Sequence, residues 1–136
     1  AVLPFLDRVV FDAEANDPLG GVEHALQEII RILVDQAQTR ETFEILAFKC
    51  EYVGEFSSMK GCTAGQMDFL GMLTDAYRRA AAKGQLRLPA DPEMLAYDTF
   101  LFVGGLIKHW ISSTPDERFR TDAERFITQH VALRRA

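Results

Sequence analysis

Apolar residues recur at three- and four-residue spacing along most of the chain, which is the pattern of amphipathic α-helices. This spacing predicts helices over residues 5–15, 18–38, 39–53, 59–83 and 91–113, with a last helix after residue 114. No segment combines strand-like alternation with turn dipeptides. The pattern therefore predicts an all-α fold of about six helices.

Local signals define several of the helix ends. Asp17-Pro18 and Asp91-Pro92 each offer a carboxylate that can cap the first turn, followed by a proline suited to the first helical position. Gly84 follows the fourth predicted helix, where a glycine commonly ends a helix. We expect helices to begin and end at these positions.

The segment from Asp91 to Ser113 is apolar on nearly every side. One stripe consists of Ala96, Phe100, Val103, Ile107 and Trp110, whereas Leu95, Leu101, Phe102 and Leu106 fall largely outside it. Gly104 and Gly105 lie in its middle, and each costs about 1 kcal/mol relative to alanine in a helix interior. We expect two different partners to cover this helix, one of them approaching its backbone closely.

Composition is that of one globular domain in a reducing compartment. The chain has 136 residues, of which 48% are hydrophobic and 26% charged, and its longest apolar run is too short to span a bilayer. Cys50 and Cys62 cannot form a disulfide framework, so we expect a cytoplasmic protein with two packed thiols. A net charge of −5 argues against a nucleic-acid surface on this chain.

The residues offer little for catalysis. His24, His109 and His130 lie on different predicted helices, and none has a second ligand at a metal-binding spacing. Lys108 has no carboxylate placed with it, and Cys50 has no nucleophile signature around it. We predict a binding protein that is not an enzyme and has no metal or cofactor.

Four segments resemble a known family. DPLGGVEHALQEIIRILV, ETFEILAFKCEYV, RRAAAKGQL and TFLFVGGLIKHWI resemble, in this order, the C-terminal half of TetR-family transcriptional repressors of multidrug efflux operons. The resemblance runs from about Asp17 to Trp110. It implies that residues 1–136 form an effector-binding and dimerisation domain, with the N-terminal helix-turn-helix domain absent and residues 1–16 a remnant of the junction helix. Operator DNA would be bound only through the absent domain.

The resemblance also implies a pocket for a small hydrophobic or aromatic effector. Its lining would be Leu26, Ile29, Ile30, Leu33, Phe43, Ala47, Gln66, Phe69, Leu70, Leu73, Phe100, Val103, Gly104, Ile107 and Lys108. Some relatives carry polar residues at Phe43, Ala47 and Gly104, so this pocket would be less polar than theirs. Polar groups that could orient a ligand are those of Gln66, Tyr77, Asp98 and Lys108.

A homodimer is implied as well, built as a four-helix bundle with two helices from each subunit. The dimer interface would comprise Phe102, Leu106, His109, Phe119, Ala123, Phe126, Ile127, His130 and Val131. The alternative for the last six is packing within one subunit. The alternative for the whole chain is a structural helical dimerisation module whose aromatic side chains fill one another's space and leave no ligand pocket.

Overall fold

The computed structural model describes residues 16–35, 58–112 and 117–136. These residues form four helices: α1 (Pro18–Asp35), α2 (Ser58–Ala82), α3 (Pro92–Ser112) and α4 (Glu117–Ala132). The described part of the chain has no strand, only an isolated bridge between Leu86 and Arg135. The all-α prediction is confirmed, whereas the described helices number four and not about six. The helices predicted over 5–15 and 39–53 lie outside the described residues.

Both Asp-Pro signals mark real helix starts. The Gly20 amide donates to Asp17 Oδ1 at a distance of 3.0 Å, and this hydrogen bond caps α1. Asp91 Oδ1 accepts the amides of Glu93 and Met94 at 3.1 and 3.3 Å, which caps α3. Each carboxylate satisfies amides that have no partner inside the helix.

Gly84 ends α2 as predicted. Its φ of 72° lies in the left-handed region, which glycine adopts without a Cβ clash. The Gln85 amide donates to the Ala80 carbonyl at 2.9 Å and the Gly84 amide to the Ala81 carbonyl at 3.1 Å. The chain is thereby turned into the loop that leads to α3.

The four helices surround one apolar core. α3 packs mainly along α2, and α4 packs mainly on α1, which also contacts α2. α1 contributes a continuous buried face made of Leu19, Val22, Leu26, Ile29 and Ile30. This face is the amphipathic stripe that the sequence predicted for residues 18–38.

Candidate functional site

Most of the predicted pocket residues lie together in the core. Those with buried side chains are Leu26, Ile29, Ile30, Phe69, Leu73 and Val103. Leu70, Phe100 and Ile107 are half-buried against the same cluster. The core thus brings together side chains from α1, α2 and α3, the three described helices from which the resemblance implies a pocket.

Gly104 and Lys108 require a correction. Both are exposed, although the neighbouring Val103 is buried. Consecutive helical residues are turned by about 100°, so Gly104 points away from the core side of α3, and Lys108 lies four residues further along the same side. Neither lines the core. Phe43 and Ala47 lie outside the described residues, as do the side chains of Leu33 and Gln66.

Three aromatic rings lead from the core to the surface. The ring centroid of the half-buried Phe100 lies 6.3 Å from that of Phe69 in the core. On its other side it stacks with the exposed Tyr97 at 6.0 Å. A flat apolar compound that entered here would meet ring faces and edges suited to aromatic contact.

A chain of buried hydrogen bonds connects three helices. The Tyr77 hydroxyl of α2 lies 2.6 Å from Thr99 Oγ1 of α3, which lies 2.8 Å from His130 Nε2 of α4. All three residues are buried. Tyr77 was predicted as a polar group for a ligand, but its hydroxyl is bound within the chain.

Thr99 was missed by the sequence reasoning. It stands three residues after Ala96 and four before Val103, on the stripe that proves to be buried. A hydroxyl on a buried stripe requires a hydrogen-bond partner, and this requirement could have drawn attention to it.

Burial favours the uncharged forms of Tyr77 and His130, the two residues at the ends of this series of hydrogen bonds. It lowers the pKa of His130 from 6.5 to about 4, and the nearby Arg134 guanidinium acts in the same direction. Burial also raises the pKa of Tyr77 above its ordinary value, against the opposing effect of its hydrogen bond with Thr99. At neutral pH the three groups therefore join the helices through hydrogen bonds between neutral partners.

Helices α3 and α4 run antiparallel and touch through side chains. Asp98 of α3 pairs with Arg134, just after α4. One turn further along α3, Phe102 stacks on His130 with ring centroids 4.1 Å apart. The residue number rises on one helix as it falls on the other, as antiparallel helices require.

Beside these contacts, two pairs of large apolar side chains seven residues apart are exposed. They are Met94 (68% exposed) and Leu101 (62%) on α3, and Phe126 (51%) on α4 with Leu133 (57%) just after its end. Residues seven apart share one side of a helix, so each pair forms an apolar strip. We call these four residues the outer face. The described part of the chain leaves them uncovered.

The predicted dimer residues fall into two groups. His109 and Phe126 are exposed, and Phe102, Leu106 and Phe119 are half-buried. A correction concerns the others, which are buried in the chain's own core: Ala123, Ile127, His130 and Val131. Because α4 packs on α1, their surface is already covered, and the alternative of packing within one subunit holds for them. Met94, Leu101 and Leu133 are exposed as well and were not among the predicted residues.

The Gly105→Ala variant should be more stable than the parent chain. A Cβ built at Gly105 has no heavy atom within 4 Å in the described structure, and alanine is favoured over glycine in a helix by about 1 kcal/mol. Urea unfolding at low protein concentration should show an increase of about that size. Gly84→Ala is the control and should lose stability, since its φ is 72°. A loss of stability in Gly105→Ala would mean that another element contacts this backbone.

The described residues contain neither a candidate metal-binding cluster nor a candidate membrane-spanning helix. Within them, no group of three or more His, Cys, Asp or Glu side chains could hold a metal ion. None of the described helices is long and apolar enough to cross a membrane.

A helical core with a separate two-helix apolar face is the arrangement that the TetR resemblance implies, and comparison with known proteins points to the same class. The chain is similar to proteins described as helix-turn-helix-type transcriptional regulators, which agrees with the resemblance found in its motifs. It is 30% identical over 123 residues to the HTH-type transcriptional regulator TtgR of Pseudomonas putida. It is also 30% identical over 123 residues to the probable HTH-type transcriptional regulator ArpR, likewise of Pseudomonas putida.

Both alignments cover 90% of this chain, which spans 59% of the length of each of these relatives. No family model matches the chain. No solved structure matches it either.

Proposed function

We propose that residues 1–136 form the effector-binding and dimerisation domain of a TetR-type transcriptional repressor. In this proposal the chain acts in the cytoplasm as a homodimer and binds small apolar or aromatic compounds. Binding releases the complete repressor from operator DNA, which a helix-turn-helix domain outside this chain contacts. The regulated genes encode an efflux pump. The chain acts by binding and does not catalyse a reaction.

One observation carries this proposal: the similarity to transcriptional regulators extends over 123 residues, or 90% of the chain. A core and a separate apolar surface are the two features that an effector-sensing dimer needs. The described part of the chain has both features, so they support the same function.

The effector would bind in the core, at the end lined by Phe69 and Phe100. These rings and the half-buried Ile107 offer apolar surface, and neither Gly104 nor Lys108 contributes a polar group there. A compound held by such a site gains affinity from buried apolar area and ring contacts more than from hydrogen bonds. The proposed class is therefore planar apolar aromatics.

Release of DNA requires the effector to favour one arrangement of the subunits over another. A compound that bound both arrangements equally would not change their populations. Typical coupling free energies between two sites are about 1–3 kcal/mol. The segment before Asp17 is the element through which such a shift would pass to a DNA-binding domain.

A thermal-shift screen tests the proposal. The purified chain is scanned against planar aromatic antibiotics, flavonoids, cationic dyes and simple phenols, with the protein concentration fixed. A compound at about 100 times its Kd should add roughly 2.7 kcal/mol to the free energy of unfolding and raise Tm by several degrees. We expect shifts from a subset of the apolar aromatic compounds.

Two variants distinguish the core from the surface. Val103→Phe adds a ring to the buried side of α3 and should remove the shift, at a cost of about 1–3 kcal/mol in stability. Leu88→Phe enlarges an exposed residue outside the core and should keep the shift. Equal shifts in both variants would place the ligand elsewhere.

The second candidate is the structural dimerisation module. It is favoured by the density of the core, where Leu26 and Leu73 are fully buried and Ile29 is nearly so. A folded dimer that no compound stabilises would support this candidate and contradict effector binding.

A further inference from the structure

We call residues His130 to Ala136 the strap. They connect the end of α4 to the other three described helices or to residues next to those helices. His130 reaches Tyr77 of α2 through Thr99 of α3. Arg135 reaches Asp17, next to α1. The earlier part of α4 packs by apolar residues such as Ala123 and Ile127, and its Glu124 carbonyl accepts from Gln27 Nε2 of α1 at 3.1 Å.

At one end the strap fixes the beginning of α1. Asp17 Oδ1 accepts from the Gly20 amide, from Gln85 Nε2 at 2.9 Å and from both terminal nitrogens of Arg135 at 3.4 Å. Gln85 Oε1 accepts the Leu19 amide at 3.3 Å. These contacts lower the pKa of Asp17, the Gly20 amide most strongly, followed by Gln85 and Arg135.

The loop between α2 and α3, which contains Gln85, also binds the backbone of the strap. The Ala136 amide donates to the Gln85 carbonyl at 2.7 Å, and the Arg87 amide donates to the Arg134 carbonyl at 2.8 Å. Gln85 therefore joins Asp17 and the strap directly. A displacement of the strap would disturb the cap of α1.

At its other end the strap borders the outer face. The Arg134 guanidinium pairs with Asp98, whose side chain is exposed between Met94 and Leu101 along α3. The ring of His130 stacks on Phe102, next to Leu101. Anything that covered the outer face would also exclude water from the ion pair between Asp98 and Arg134.

We propose that the strap couples pairing of two copies through the outer face to the fixing of Asp17 at the start of α1. This rests on the proposed dimerisation. Excluding water strengthens the attraction between the two charges and makes their separation costly, so docking would hold Arg134, and with it Arg135, more firmly. Coupling of two sites is reciprocal, so loosening Asp17 weakens pairing by the same factor.

The consequence is regulatory. Asp17 is the point at which the preceding part of the chain meets the described helices, and the resemblance makes that part the junction with a DNA-binding domain. Pairing would then help to set the direction in which the preceding segment enters α1. Loss of the strap contacts would leave that direction less defined in each subunit.

The test measures pairing after a change at the far end of the strap. Asp17→Ser keeps a good helix cap but is too short and uncharged to hold Gln85 and Arg135 together. Sedimentation equilibrium should show a dimer Kd raised at least fivefold, the low end of the range for coupled sites. Hydrogen exchange of the Leu19 amide in the parent chain should slow when protein concentration is raised through the dimer Kd.

Glu28→Ser is the matched control. Glu28 also has a lowered pKa, chiefly through its hydrogen bond with Arg31, which lies three residues further along the same helix. Its dimer Kd should stay within about twofold of the parent value, as expected for a surface ion pair.

Three outcomes would count against the proposals. A parent chain that is monomeric at every concentration contradicts the proposed dimerisation itself. A folded Asp17→Ser dimer with the parent Kd overturns the coupling while dimerisation stands. If Asp17→Ser does not fold, Arg135→Ala replaces it with Arg31→Ala as control, and an unchanged Kd there overturns the coupling in the same way.

Discussion

Acidifying the chain from pH 7 to pH 4 should lower its free energy of unfolding by about 3 kcal/mol through His130 alone. The imidazole is 8% exposed, and its pKa falls from 6.5 to about 4 in the folded chain. Between these two values the unfolded chain binds the proton and the folded chain does not. Stability is therefore complete above pH 6.5 and is lost as the pH falls toward 4.

Urea unfolding at a series of pH values, at fixed protein concentration, measures this loss. The carboxylates of Asp17 and Glu28 also have lowered pKa values and add a loss at the acid end, so the variant His130→Gln is needed for comparison. It should be less stable at pH 7, with a flatter profile between pH 6.5 and 4. If His130→Gln kept the parent profile, His130 would not be held neutral by burial.

The Leu101→Asp variant should weaken self-association at least a hundredfold, about 2.7 kcal/mol. Leu101 is largely exposed in one subunit, so the substitution removes little from the core of the chain. In a dimer formed through the outer face, the new carboxylate would be buried without a partner, which costs several kcal/mol. Fluorescence or sedimentation measurements of the dimer Kd would detect the change.

Thr128→Asp is the control for this variant. Thr128 is exposed on α4 but is turned about 200° from Phe126, away from the outer face. It adds the same charge and should leave the dimer Kd nearly unchanged. A Leu101→Asp chain that paired as tightly as the parent would exclude the outer face as the interface, whereas equal weakening by both variants would indicate a general charge effect.

Helix positions were predictable because they depend on short-range chemistry. An Asp-Pro pair satisfies the first amides of a helix wherever it occurs, and Gly84 supplies a backbone conformation that other residues rarely adopt. The stripes of α1 and α3 followed from the helical repeat. None of these conclusions needed to know which helices are neighbours.

The partner of each stripe could not be predicted in the same way. Periodicity shows that a face such as Ala123 and Ile127 is covered, but it does not say whether the same chain or a second copy covers it. The resemblance favoured a second copy, and packing of α4 on α1 decided otherwise for these residues. On α3 the face that stayed exposed contains Leu101, a residue outside the main stripe whose side of the helix was also expected to be covered.

The hydrogen bonds from Tyr77 through Thr99 to His130 also have a direction. Each hydroxyl has one proton to give, and an unpaired buried donor costs more than an acceptor with a spare lone pair. Both hydroxyl protons are paired when Tyr77 donates to Thr99 Oγ1 and Thr99 donates to His130 Nε2. The proton of the neutral imidazole then lies on Nδ1. Replacing Thr99 with valine would thus strand a donor on one side and an acceptor on the other. Among descendants of this sequence, we expect the three residues to be inherited or exchanged together.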